Sequence, residues 1–112
     1  MVSKQYPRLG ETVFHEILEN GLHVYVDRRR DFQKSYAFFA TNYGGMDMRF
    51  RLDGEWKNTP AGVAHFLEHK MFDTKDGNAL QDLAANGASP NAFTSSAITG
   101  YFFESTEKFF DN

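Results

Sequence analysis

Gly62-Val63-Ala64-His65-Phe66-Leu67-Glu68-His69-Lys70-Met71-Phe72 is the stretch on which the reading of this chain turns. It reads as a helix that starts at Pro60, where a missing N–H costs nothing, and runs to about Phe72 or Asp73. Four residues advance a helix by little more than one turn, so His65 and His69 point the same way and can grip one zinc ion from one side. Glu68 borders that face. A carboxylate near a metal but not bound to it can take a proton from activated water and later deliver one to a departing amine. At about 100° per residue, Val63, Ala64, Leu67 and Met71 cluster on one side as an expected core stripe, with Phe66 at its edge. His65, Glu68, His69 and Phe72 fill the opposing arc. The competing reading of the same residues is a solvent-facing helix whose histidines and glutamate make ordinary hydrogen bonds.

Upstream of this helix, residues 12–27 read as a hairpin, with Asn20-Gly21 supplying the positive φ angles of a tight primed turn. Tyr36-Ala37-Phe38-Phe39-Ala40-Thr41-Asn42-Tyr43 is a nearly continuous apolar run that suits a strand covered on both faces, ended by Gly44-Gly45. Residues 46–60 read as a loop with a short strand at Arg49-Phe50-Arg51-Leu52. Downstream, a second helix is expected over about residues 76–86, with Leu80, Leu83 and Ala84 at helical spacing and Asn86-Gly87 as its stop. Two strands follow, over residues 88–95 and 98–105. Ser105-Thr106-Glu107-Lys108-Phe109-Phe110 then reads as the opening of a third helix, so the chain is expected to end within an element, as a piece of a longer protein.

Composition narrows the function classes. The chain has 112 residues, one domain at most, and 16% aromatics including 12 Phe, so a folded core is expected. A net charge of −3 gives no reason to invoke nucleic acid or an anionic membrane, and Arg28-Arg29-Arg30 reads as a solvated turn. With no cysteine, disulfides and thiolate metal sites are excluded. The first residues form no apolar signal-peptide region, and no stretch approaches the roughly 18 apolar residues of a membrane helix. A soluble, cytoplasmic protein is the simplest expectation. His15 and His23 lie in the hairpin and read as structural.

Gly62–Phe72 resembles the active-site helix of the inverzincin peptidases, the family of pitrilysin, insulin-degrading enzyme and mitochondrial processing peptidase. Asn20-Gly21-Leu22, the strand ending at Gly44-Gly45, Gly87-Ala88-Ser89 and Asn91-Ala92-Phe93-Thr94-Ser95 are similar to the same family, so the likeness covers nearly all of the chain. It implies an α+β fold, an antiparallel or mixed sheet with helices packed on one face, as the first half of a metallopeptidase family domain. Residues 1–112 would then be a partial N-terminal domain of a bacterial-type member, truncated before the third metal ligand. The resemblance also implies that His65 and His69 bind zinc, that Glu68 is the general base, and that Asn91 and Ala92 lie on an edge strand where substrate backbone pairs. From the residues alone, Asn91-Ala92-Phe93 is a plain strand after a turn.

A catalytic zinc keeps three protein ligands and one open position. The family's third ligand is a glutamate further downstream. Glu104, Glu107 and Asp111 near the end do not match its context. The expected function is a zinc endopeptidase acting on peptides or small unfolded proteins, inactive as these 112 residues alone. The alternative is a non-catalytic peptide-binding or assembly subunit of a peptidase pair. Partners would be peptide substrate and, as a homodimer or paired subunit, a second peptidase-like chain; Phe109 and Phe110 would favour self-association.

Overall fold

The computed structural model describes residues 1–75 and 77–106. Its elements are β1 (Val2–Tyr6), β2 (Glu11–Ile17), β3 (His23–Asp27), β4 (Ser35–Thr41), β5 (Arg49–Leu52), β6 (Glu55–Asn58), α1 (Val63–Met71), β7 (Asp73–Thr74), β8 (Gly77–Asn78), α2 (Ala79–Ala85), β9 (Ala88–Thr94) and β10 (Thr99–Ser105). The fold is α+β: two helices among strands whose pairings are all antiparallel among the described residues. The chain divides into two compact units, Met1–Phe32 and Gln33–Asn112.

The first unit is a three-stranded meander in the order β1-β2-β3. The expected hairpin is present, with Val13 opposite Asp27 and Ile17 opposite His23. Its turn differs from the expectation. Among Glu19, Asn20 and Gly21 only Gly21 has a positive φ, 84°. Gly21 N–H donates to Leu18 O at 2.8 Å and Leu18 N–H to Leu22 O at 2.9 Å, a three-residue loop closed by a left-handed glycine. Asn20 serves instead through its side chain, accepting from Leu22 N–H at 3.0 Å. Strand β1 was not anticipated; Pro7-Arg8-Leu9-Gly10 turns it back onto β2. Arg29 is more engaged than a solvated turn suggests, paired with both Glu11 and Asp27.

In the second unit the main sheet runs β4-β10-β9. Strand β4 is therefore an edge strand, and its aromatic run is not covered on both faces. Tyr36, Phe38, Phe93 and Phe102 contact one another laterally, with Phe38–Phe93 and Phe38–Phe102 centroids 6.1 and 6.2 Å apart. These rings form a ladder on the sheet surface, where Phe38 remains 48% exposed. The core is thin: Ala64 and Ala88 are the buried apolar side chains among the described residues.

Residues 46–60 hold a full hairpin, β5 and β6, where a single strand was expected. Asp53 and Gly54 both have positive φ, 51° and 82°, which is the two-residue primed turn that an Asp-Gly pair favours. Pro60 does not begin the helix. Gly62, at φ 90°, is the N-cap, and Phe66 N–H donates to its carbonyl at 2.9 Å. The second helix forms much as expected, capped by Asn78 Oδ1 accepting from Leu80 N–H at 2.9 Å and followed by Gly87 at φ 84°. Ser105 closes β10 rather than opening a helix; the rest of that proposed third helix, residues 107–112, lies outside the described residues.

Candidate active site

Helix α1 docks on the sheet by a face that joins Ala64 of the expected core stripe to Glu68 of the expected polar arc. Ala64 is 4% exposed and Glu68 8%, whereas Leu67 and Met71 are 44% and 66% exposed. Ala64 of the expected core stripe is thus buried as foreseen and Val63 is half-buried, while Leu67 and Met71 of the same stripe turn outward. Two contacts explain the choice. Thr94 Oγ1 on β9 donates to Glu68 Oε2 at 2.7 Å, and the Phe72 ring meets Tyr101 on β10 edge-on at 5.7 Å. A small Ala64 lets the helix backbone come close, and the threonine hydroxyl meets the hydrogen-bonding need of the carboxylate that close approach desolvates.

Neither partner of α1 was singled out from the sequence. Thr94 lies two positions after Ala92, so strand alternation places both on the sheet face that receives α1. That spacing was readable once Ala92 was under consideration. Tyr101 sits directly opposite Ala92 in the ladder. Burial pushes the Tyr101 phenol above its ordinary range, and the nearby Glu68 carboxylate pushes the same way. The ring therefore stays protonated through neutral pH.

His65 and His69 come together on the open side of the helix. Their Nε2 atoms are 3.1 Å apart and their ring centroids 4.8 Å. A tetrahedral zinc with N ligands at about 2.0–2.1 Å holds two of them about 3.3 Å apart, so the pair fits two corners of such a site. Among the described residues no group of three or more His, Cys, Asp or Glu is placed to hold a metal ion. Glu104 is engaged elsewhere, paired with Lys34 at 2.9 Å.

All five residues marked out from the sequence line one open cleft of about 850 Å³: His65, Glu68, His69, Asn91 and Ala92, joined by Gly45, Met46 and residues 93–96. Its far wall is held by backbone bonds from Gly45 N–H to Ser95 O and from Met46 N–H to Ser96 O, at 2.8 and 2.9 Å. Gly44 makes that approach possible, because a Cβ there would lie 2.6 Å from Ser95 O and Ala97 N. Strand β9 is the sheet edge beside the helix, with Asn91 opposite Phe102 and Ala92 opposite Tyr101. The Ala92 N–H is held by Asn91 Oδ1 at 2.8 Å.

Comparison with known proteins sets the class first. Over 104 residues the chain is 50% identical to the uncharacterized zinc protease YmfH of Bacillus subtilis (strain 168), covering 91% of this chain and 24% of that protein. It is 38% identical over 103 residues to AlbF of the same organism, likewise named as a zinc protease, covering 89% of this chain and 24% of the relative. A crystal structure of an M16-like peptidase from Alicyclobacillus acidocaldarius superposes with a TM-score of 0.83 at 40% identity, over 96% of this chain and 25% of that one. These are metalloprotease relatives. Residues 54–112 match the family model for insulinase, peptidase family M16, and the chain belongs to that family. It spans about a quarter of the length of the relatives it matches.

Proposed function

We propose that this chain carries the zinc-binding helix and the substrate-pairing edge of an M16 endopeptidase, with Glu68 as general base. The observation that carries the reading is the placement of Glu68. It is a nearly buried carboxylate whose hydrogen-bond partner is a neutral hydroxyl, set beside two convergent histidines at the mouth of a cleft. Among the described residues no cation pairs with this carboxylate, and burying it so is costly as a purely structural feature, which favours a chemical role.

His65 and His69 would hold the ion through their Nε2 atoms. Zinc, when bound, activates water for attack and polarises the scissile carbonyl. Glu68 takes up the water's proton and passes it to the departing amine nitrogen, leaving a carboxylic acid and an amine. Thr94 engages Oε2, which keeps the carboxylate fixed and leaves Oε1 to accept that proton. The open edge of β9 aligns an extended peptide across the histidines, its backbone pairing at Asn91 and Ala92. Pairing at the Ala92 N–H would require the Asn91 carboxamide, which accepts from it at 2.8 Å, to give way to the substrate carbonyl.

The substrate class is peptides or small unfolded proteins, since strand addition reads backbone rather than a folded surface. A pair of histidines holds zinc weakly, which supports the reading that these residues alone do not hydrolyse peptides. The zinc content of a chain with the relatives' length tests the ligand assignment. About one zinc per chain is expected, lost in either His65→Ala or His69→Ala and retained in Thr94→Val. Full zinc retention in both histidine variants would refute it.

A further inference from the structure

A second histidine pair stands in the Met1–Phe32 unit, on the two strands of the first hairpin. His15 pairs with Tyr25 and Ile17 with His23, so His15 and His23 are diagonal neighbours on one face of β2 and β3. Diagonal positions lie about 7–8 Å apart, within reach of two rings. His15 Nε2 is 3.1 Å from His23 Nδ1, the separation also found between His65 and His69. Tyr25 stacks on His15 with centroids 4.4 Å apart and planes within 5°. That stack sets the His15 ring in advance, so binding would cost it little rotamer freedom.

As the contact stands, one imidazole N–H donates to the lone pair of the other, the direction depending on the tautomer. Shifting the donor's proton to its second ring nitrogen leaves two lone pairs side by side, with no net change in charge. A tetrahedral ion with bonds of about 2.0–2.1 Å holds two nitrogens about 3.3 Å apart, and a square-planar ion about 2.9 Å apart. The observed spacing lies between them. The neighbouring positions on this face are Val2, Val13, Ile17, Tyr25 and Asp27, and the Asp27 carboxylate is engaged by Arg29 at 3.0 Å, so imidazole nitrogen rather than carboxylate oxygen is what this face presents to an ion.

We propose that His15 and His23 form a bidentate site for an imidazole-preferring divalent transition ion, with Cu(II) bound most tightly, then Ni(II) and Zn(II). Among the described residues no third protein donor joins them, so water completes the shell and binding is reversible. Bound metal clips β2 to β3 across the turn at residues 18–22 and raises the stability of the hairpin by mass action.

Substoichiometric Cu(II) added to the isotopically labelled chain tests this by paramagnetic broadening of amide signals. Two separate sets are expected, one around residues 14–16 and 22–25 and one around residues 65–69. Broadening confined to the second set would overturn the proposal. His23→Gln, at an exposed strand position, is expected to abolish the first set, keep the second, and lower the calorimetric Cu(II) stoichiometry from two to one. Persistence of broadening at residues 14–16 in that variant would also overturn it. If the variant fails to fold, the pattern in the unsubstituted chain decides the matter.

Discussion

Glu68 accepts a hydrogen bond from the hydroxyl of Thr94, 26 positions away, and this bond organises the site at the level of individual side chains. Thr94→Val keeps the shape of the side chain and removes the donor, leaving a nearly buried carboxylate unsatisfied. We expect a stability loss of about 1–3 kcal/mol in urea denaturation, with Thr94→Ser restoring most of it. Equal stability of the valine and serine variants would deny the bond its role. Tyr101 provides a pH signature. Its phenol is raised in the folded chain, so the folded state holds the proton more firmly than the unfolded state. The associated stability is fully present below about pH 10, the ordinary tyrosine value, and is lost as pH climbs through the raised one. Tyr101→Phe should flatten this alkaline decline in thermal melts taken across that range; an unchanged decline would place its origin elsewhere.

Elements were legible where their signals are local. Gly87 as a stop and the glycine of the 18–22 turn act within a few residues, and the second helix and the first hairpin were placed from them, though the Asn78 cap that sets the start of that helix was missed. Asp53-Gly54 was equally local, but its charged flanks, Arg51 and Glu55, obscured the hairpin it closes. The buried side of α1 was legible only in part, at Ala64 and not at Glu68. An apolar stripe normally faces inward, yet here Thr94 and Tyr101 on distant strands draw Glu68 and Phe72 to the sheet. The edge position of β4 is likewise a property of pairing order, invisible in an apolar run. Gly44 shows how tightly one loop is fitted to the next. Gly44→Ala should cost about 1–3 kcal/mol, since its Cβ would meet backbone rather than a movable side chain. Thermal melts that match those of the unsubstituted chain would show that the close approach is not required.

On the scale of the molecule, the candidate site was read more fully than the fold. His65, Glu68 and His69 were marked out by their spacing on one helix and Asn91 and Ala92 by the family resemblance, and all five line one cleft. What the sequence reading left out was Thr94, the partner of Glu68, whose only signal was its place two residues after Ala92 on the same strand face. The chain covers about a quarter of its relatives' length, so the proposed chemistry is tested on a protein of that length. The most direct measurement is peptide hydrolysis by a zinc-loaded protein of that length, unsubstituted and as Glu68→Gln. Retained zinc and a fall in kcat of about 10²-fold or more are predicted for the variant; Glu68→Gln that cleaves at the unsubstituted rate would contradict the account.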